Sequence, residues 1–135
     1  MKRHVIRLLS LVLVVLLGLT GFAPAANAGD SLTGNYQEDT LAVVDSLRTA
    51  INLPDGTPEK KEAQTQARQL INDFAARYRR NGSVAKLSSF TTMRTALNSL
   101  AGHYSSYPNR PVPQKLKDRL ELEFKQVEAA VNRGN

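Results

Sequence analysis

Side chains that could ligate a metal, attack an electrophile or move a proton are few in this chain. Cysteine is absent, and histidine occurs only at His4 and His103. His4 lies in the first 28 residues, which read as an export leader, so one imidazole remains in the exported chain. A lone histidine is no zinc site, because zinc takes three or four protein ligands. Met93 and His103 are the only plausible axial ligands for a haem. They lie ten residues apart on one expected helix, a rise of about 15 Å, and cannot both reach one iron. No serine sits in the strand-turn-helix elbow that a nucleophile needs. The acids are scattered on polar faces, where Asp and Glu are expected to be solvated. No catalytic, metal or cofactor-binding residue follows, and the chain reads as a protein that binds another protein rather than as an enzyme.

Two clusters stand out as binding chemistry. Arg77-Tyr78-Arg79-Arg80, with Lys86 beyond, gathers guanidinium groups near a helix end. Cations there complement the helix dipole, and arginines around a tyrosine also suit a protein-binding patch. The second cluster runs from His103 through Tyr107 and Arg110 to Pro111. Its prolines restrain it, and Tyr and Arg are common interface anchors. The same stretch would also serve as an ordered connection packed on the fold, with Tyr104 on an inward stripe and Tyr107 less easily placed there. Arg79, Arg80, Tyr107 and Arg110 are the candidate partner-binding residues.

These clusters need elements to hold them. Tyr36, Thr40, Val43, Val44, Leu47 and Ile51 recur at helical spacing until Leu53-Pro54-Asp55-Gly56. Thr57-Pro58-Glu59 then opens a second helix, with Ala63, Ala67, Leu70, Ile71, Phe74 and Tyr78 on one face. Asp73 and Arg77 are spaced to pair, and Asn81-Gly82 reads as its left-handed stop. Ser88-Ser89 reads as the cap of a third helix carrying Phe90, Met93, Leu97, Leu100 and Tyr104. Beyond the Ser105–Pro113 connection, Leu116, Leu120, Phe124, Val127 and Val131 stripe a fourth, with Glu121 and Lys125 paired outside. Arg133-Gly134-Asn135 is expected to fray. With no alternating strand pattern, the expected fold is all-α, an up-down-up-down four-helix bundle.

The start of the chain has a different character. Lys2, Arg3 and Arg7 precede an apolar run from Leu8 to Leu19, and Ala26-Asn27-Ala28 closes it. This is the pattern of a secretory signal peptide, and the run falls short of the roughly 20 residues a bilayer span takes. The expected domains are a cleaved signal over residues 1–28 and one bundle over 29–135. Cleavage removes three of the 18 Lys and Arg and none of the 12 Asp and Glu, lowering the net charge from +6 to +3. That charge is a weak basis for nucleic-acid binding. Without disulfides, a monomer of this size holds together through its apolar core.

Several stretches resemble the photosystem II lumenal assembly lipoprotein (Psb-twenty-seven) family. They are Leu32 to Tyr36, Asp39 to Leu41, Arg77 to Arg80 and, above all, Ser89 to Tyr104 with Tyr107-Pro108-Asn109-Arg110-Pro111. The resemblance runs from about Leu32 to Arg133. It implies a four-helix protein without cofactor or enzymatic activity in the thylakoid lumen, peripheral to the membrane. It implies binding to immature or damaged photosystem II through a lumenal loop of the inner chlorophyll-binding antenna subunit. It also implies assembly and repair, with extrinsic subunits kept off until the manganese cluster is in place. Many cyanobacterial members carry a lipidated cysteine where this chain has Phe22. With no thiol to modify, no lipid anchor is expected here.

One function of a different class competes with this: a periplasmic four-helix carrier of a lipid or pigment. Such a carrier needs small residues and gaps along its inward stripes. The Leu, Ile, Phe and Val found there suit a filled core instead.

Overall fold

A computed structural model of the chain describes residues 32–135. The signal sequence and its cleavage after Ala28 lie outside the described residues. Five helices and no strand make up the described part: α1 (Tyr36–Asn52), α2 (Pro58–Tyr78), a single turn α3 (Gly82–Ala85), α4 (Ser88–Ser106) and α5 (Gln114–Asn132).

Each helix start has a local cause. Asn35 caps α1, its side chain accepting the Glu38 amide at 3.0 Å, and Thr57 does the same for α2 through the Lys60 amide at 3.2 Å. Such a cap is worth about 1 kcal/mol. Pro58 adds a backbone already set for the first turn. The last turn of α1 has no basic residue of its own. The Lys60 ammonium crosses from α2 to fill that role, donating to the carbonyls of Ile51 at 3.2 Å and Leu53 at 3.1 Å.

Three sequence expectations about helix ends are corrected. Asn81 does not end α2 in a left-handed cap. It has extended backbone and caps α3, its side chain accepting the amides of Ser83 and Val84. An asparagine oxygen serves an N-terminal cap as readily as Asn fits a C-terminal one, so spacing alone does not separate the two. Ser88-Ser89 is not the cap of α4. Leu87 takes that position without a side-chain bond, and Ser89 is buried with its hydroxyl 2.8 Å from that of Tyr36. Nor does the chain end fray. Gly134 adopts φ 83°, its amide bonds Val131 O at 3.0 Å, and Asn135 N bonds Ala130 O at 2.9 Å. Those two bonds satisfy the last carbonyls of α5 in the Schellman pattern.

The four long stripes meet in one core. Val44, Leu47, Phe74, Met93, Leu100, Leu120, Phe124 and Val127 are fully buried. The start of α1 lies against the end of α2 and the start of α4: the Tyr36 ring is 5.3 Å from that of Tyr78, and Phe74 stacks on Phe90 at 6.3 Å. Gln37 also reaches Asn132 in the last turn of α5, at 3.4 Å. Towards the far end of α1, Arg48 holds Glu121 in a two-pronged pair at 2.8 and 2.9 Å. It adds Glu128 at 3.0 Å and lies over the Phe124 ring at 5.8 Å.

Polar groups depart further from the sequence reading. Asp39 is not solvated but 1% exposed. Its carboxylate accepts from Thr33 N at 2.7 Å, Thr33 Oγ1 at 2.8 Å and Gly34 N at 3.0 Å, and from the Tyr78 hydroxyl. The acid thus fastens the segment before α1 to the end of α2. Burial alone would raise its pKa; the hydrogen bonds from Thr33, Tyr78 and Gly34 outweigh that and hold it below the ordinary aspartate value. Asp73 accepts from Gln69 rather than pairing with Arg77. Glu121 serves Arg48 rather than Lys125. Helical spacing made both expected pairs feasible, but a cation on a neighbouring helix takes Glu121.

Candidate protein-binding surface

Of the four candidate residues, the structure brings two together. Tyr107 ends α4, its amide bonded to His103 O at 2.8 Å. Tyr107 is 48% exposed, the one aromatic residue among the exposed large hydrophobic residues of the described part. The Arg110 guanidinium lies 5.4 Å over its ring, a cation–π contact that presents both groups as one unit. The loop is fastened from beneath. The His103 ring is 5.7 Å from that of Tyr107, and its Nε2 is 3.2 Å from Arg110 O. His103 is buried, so the one histidine of the described residues is a loop fastener within the fold. Among the described residues no group of His, Asp or Glu could hold a metal ion.

Arg79 and Arg80 are exposed at the end of α2. Arg79 is its C-cap, with its amide on Ala75 O at 3.0 Å. The single turn α3 then leads into α4, whose 19 residues rise about 28 Å before Tyr107 is reached. The two halves of the candidate surface are separated by the length of a helix.

Three contributors near the loop were not anticipated. Lys60, Lys61 and Arg68 of α2 face the segment Pro108–Pro111 across a cleft of about 360 Å³, which Tyr104 and Arg110 also line. Burial pushes the Tyr104 phenol up to about 12, so it stays a proton donor. Their only sequence signal is the helical row Lys61-Gln64-Arg68, which is indistinguishable from any solvated face.

The chain matches the family described as Photosystem II Pbs27 over residues 3–131. It belongs to that family. A Thermosynechococcus vestitus relative, "Photosystem II assembly factor lipoprotein Psb27", is 60% identical over 133 residues, covering 98% of this chain and 97% of its own length. The "Photosystem II lipoprotein Psb27" of Synechocystis is 54% identical over 134 residues, at 99% and 97% coverage. "Photosystem II repair protein PSB27-H1, chloroplastic" of Arabidopsis thaliana is 33% identical over 113 residues, or 83% of this chain and 63% of that one. Among solved structures, the solution structure of Psb27 from cyanobacterial photosystem II is 57% identical. It superposes at a TM-score of 0.73 and covers 78% of this chain and 91% of that one. The Arabidopsis PSB27 crystal structure gives 0.71 at 33% identity, covering 74% and 98%.

The family names correct one expectation. Two Psb27 relatives are named lipoproteins, which conflicts with expecting no lipid anchor from the missing cysteine. The absence of cysteine is a fact of this sequence; the unanchored state is not supported by its relatives. Among the described residues no helix is long and apolar enough to cross a membrane.

Proposed function

We propose that this protein is a non-enzymatic assembly and repair factor of photosystem II. The family match over residues 3–131 carries the reading, with relatives named for photosystem II assembly and repair. The chain acts in the thylakoid lumen, exported by a signal cleaved after Ala28, and it is a monomer when free. It binds a lumenal loop of the inner chlorophyll-binding antenna subunit and keeps extrinsic subunits off until the manganese cluster is assembled. The helices form an up-down-up-down bundle. The contacts of Tyr36 with Tyr78 and Ser89 at one end, and of Arg48 with Glu121 towards the other, support that topology. Tyr107 and Arg110, with Arg79 and Arg80 a helix length away, form the contact strip. The exposed ring of Tyr107 beneath Arg110 supports that assignment. Large inward side chains that bury completely favour this binding role over a lipid or pigment carrier.

The test is a pull-down from solubilised thylakoids with the tagged chain. The expected capture is photosystem II depleted of manganese and of extrinsic subunits. Capture of only the mature, manganese-loaded complex, or of no photosystem, overturns the proposal.

A further inference from the structure

The cleft between the α1–α2 turn and the α4–α5 loop holds an imbalance of charge. Its one acid, Asp55, already meets the Lys60 ammonium at 3.2 Å. Lys60 in turn is occupied by the Ile51 and Leu53 carbonyls. Lys61, Arg68 and Arg110 also line the cleft, and among the described residues none of them joins an ion pair. Beside them stands Tyr104, 2% exposed, its hydroxyl buried without a hydrogen-bond partner. A buried unpartnered hydroxyl is costly in the free protein. Next to unpaired guanidinium groups, it is a donor ready for an anionic acceptor.

We propose that this cleft is a carboxylate site that receives an Asp or Glu side chain from an acidic segment of the partner protein. The inference deepens the photosystem-binding reading and rests on it for the partner's identity. A peptide fits the walls better than a bare inorganic anion does. Gln64, Thr65 and Asn109 bring amides and a hydroxyl that match a peptide backbone, and a volume of about 360 Å³ holds several atoms beyond one carboxylate. A membrane surface fits poorly, because among the described residues a single large apolar group, Tyr107, is exposed beside these cations, and the other, Leu122, does not line the cleft. Arg68 and Arg110 suit a carboxylate because a guanidinium presents paired donors to it. Tyr104 also lines the cleft, and its hydroxyl is a neutral donor with no partner within the fold.

Two variants and two binding arms test this. Tyr104→Phe removes only the hydroxyl, and Arg68→Gln removes one cation. In the first arm, nitrogen–proton NMR spectra follow the whole chain during titration with a short capped peptide of alternating Glu and Gly, its Gln counterpart, and inorganic phosphate. The Glu peptide is expected to shift residues 55–68 and 104–111, and the Gln peptide to leave them unmoved. Each variant weakens the Glu peptide by about tenfold, the loss of one hydrogen bond to a charged group. Tyr104→Phe melts at or above the parent temperature, because an unpartnered hydroxyl has been removed.

In the second arm, both variants bind photosystem II stripped of extrinsic subunits about tenfold more weakly than the parent. Equal binding of Glu and Gln peptides, phosphate matching the Glu peptide, or shifts elsewhere on the protein each overturn the site. So does a lower melting temperature for Tyr104→Phe, or unchanged binding by both variants in either arm. A parent chain that binds no photosystem defeats the assembly-factor reading instead, and the peptide titration still decides the cleft.

Discussion

Replacing Asp39 by Asn changes one oxygen for an amide nitrogen at the most heavily hydrogen-bonded buried acid of the fold. Oδ1 accepts from Thr33 N and Thr33 Oγ1, and Oδ2 from Gly34 N at 3.0 Å and from the Tyr78 hydroxyl. If the amide oxygen keeps the Thr33 bonds, the new NH₂ faces the Gly34 amide donor to donor. The Tyr78 hydroxyl can turn and accept, but without the charge it had before. One donor stranded near the interior costs about 1–3 kcal/mol, and a charged hydrogen bond made neutral costs roughly another 1. The expected loss at neutral pH is therefore about 2–4 kcal/mol, or a melting temperature lower by about 10 °C or more for a domain of this size.

The pH dependence has a definite sign. Hydrogen bonds hold the folded pKa of Asp39 below its ordinary value. Its contribution to stability is then present above the unfolded pKa of about 4 and disappears as pH falls through the folded pKa. Parent and Asp39→Asn should differ fully at pH 7 and converge below about pH 4. Urea unfolding followed by circular dichroism measures this, since the chain has no Trp to report by fluorescence. A loss under about 0.5 kcal/mol, within the ordinary surface range, or a gap that stays constant down to pH 3, would refute the latch.

Leu97→Ala removes a side chain that is 4% exposed on α4 and should cost roughly 2–5 kcal/mol in the same assay. Arg48→Met keeps an apolar stem but removes the guanidinium from over Phe124 and releases Glu121 and Glu128. A loss of about 1–2 kcal/mol, partly masked by high salt, is expected for these two partly buried pairs, and the Glu128 pKa, now held down by Arg48, should rise in an NMR titration. Arg79→Ala with Arg80→Ala should slow association with stripped photosystem II in a salt-dependent way. Tyr107→Ala with Arg110→Ala should instead speed release. Parent-like rates for both folded double variants place the contact on another face.

Much of the fold was legible in the sequence because its signals are local. Stripes such as Val43, Val44, Leu47 and Ile51 depend only on the angle per residue, and the Thr57-Pro58 start depends only on atoms within one turn. Leu53-Pro54 stops α1 by the geometry of its own backbone. Length, charge and the absence of Cys likewise come from composition. The resemblance carried by Ser89 to Tyr104 was a matter of residue order and required no coordinates.

The tertiary structure decided whatever depends on a neighbour distant in sequence. Asp39 looked like any first-turn acid, and it is buried because Tyr78, 39 residues away, and the Thr33 segment close over it. Glu121 was spaced to meet Lys125, yet Arg48 arrives from another helix at 2.8 Å with better geometry. Ser89 serves Tyr36 across the core rather than its own helix end. Counting ligands argues against a metal at His103, but the ring's grip on Arg110 O appears only when the loop folds back. The basic cleft belongs to the same class. Lys61, Arg68, Tyr104 and Arg110 lie on two segments separated by most of a helix pair, and periodicity reports which way a residue faces on its own helix, not which loop will come to lie opposite it.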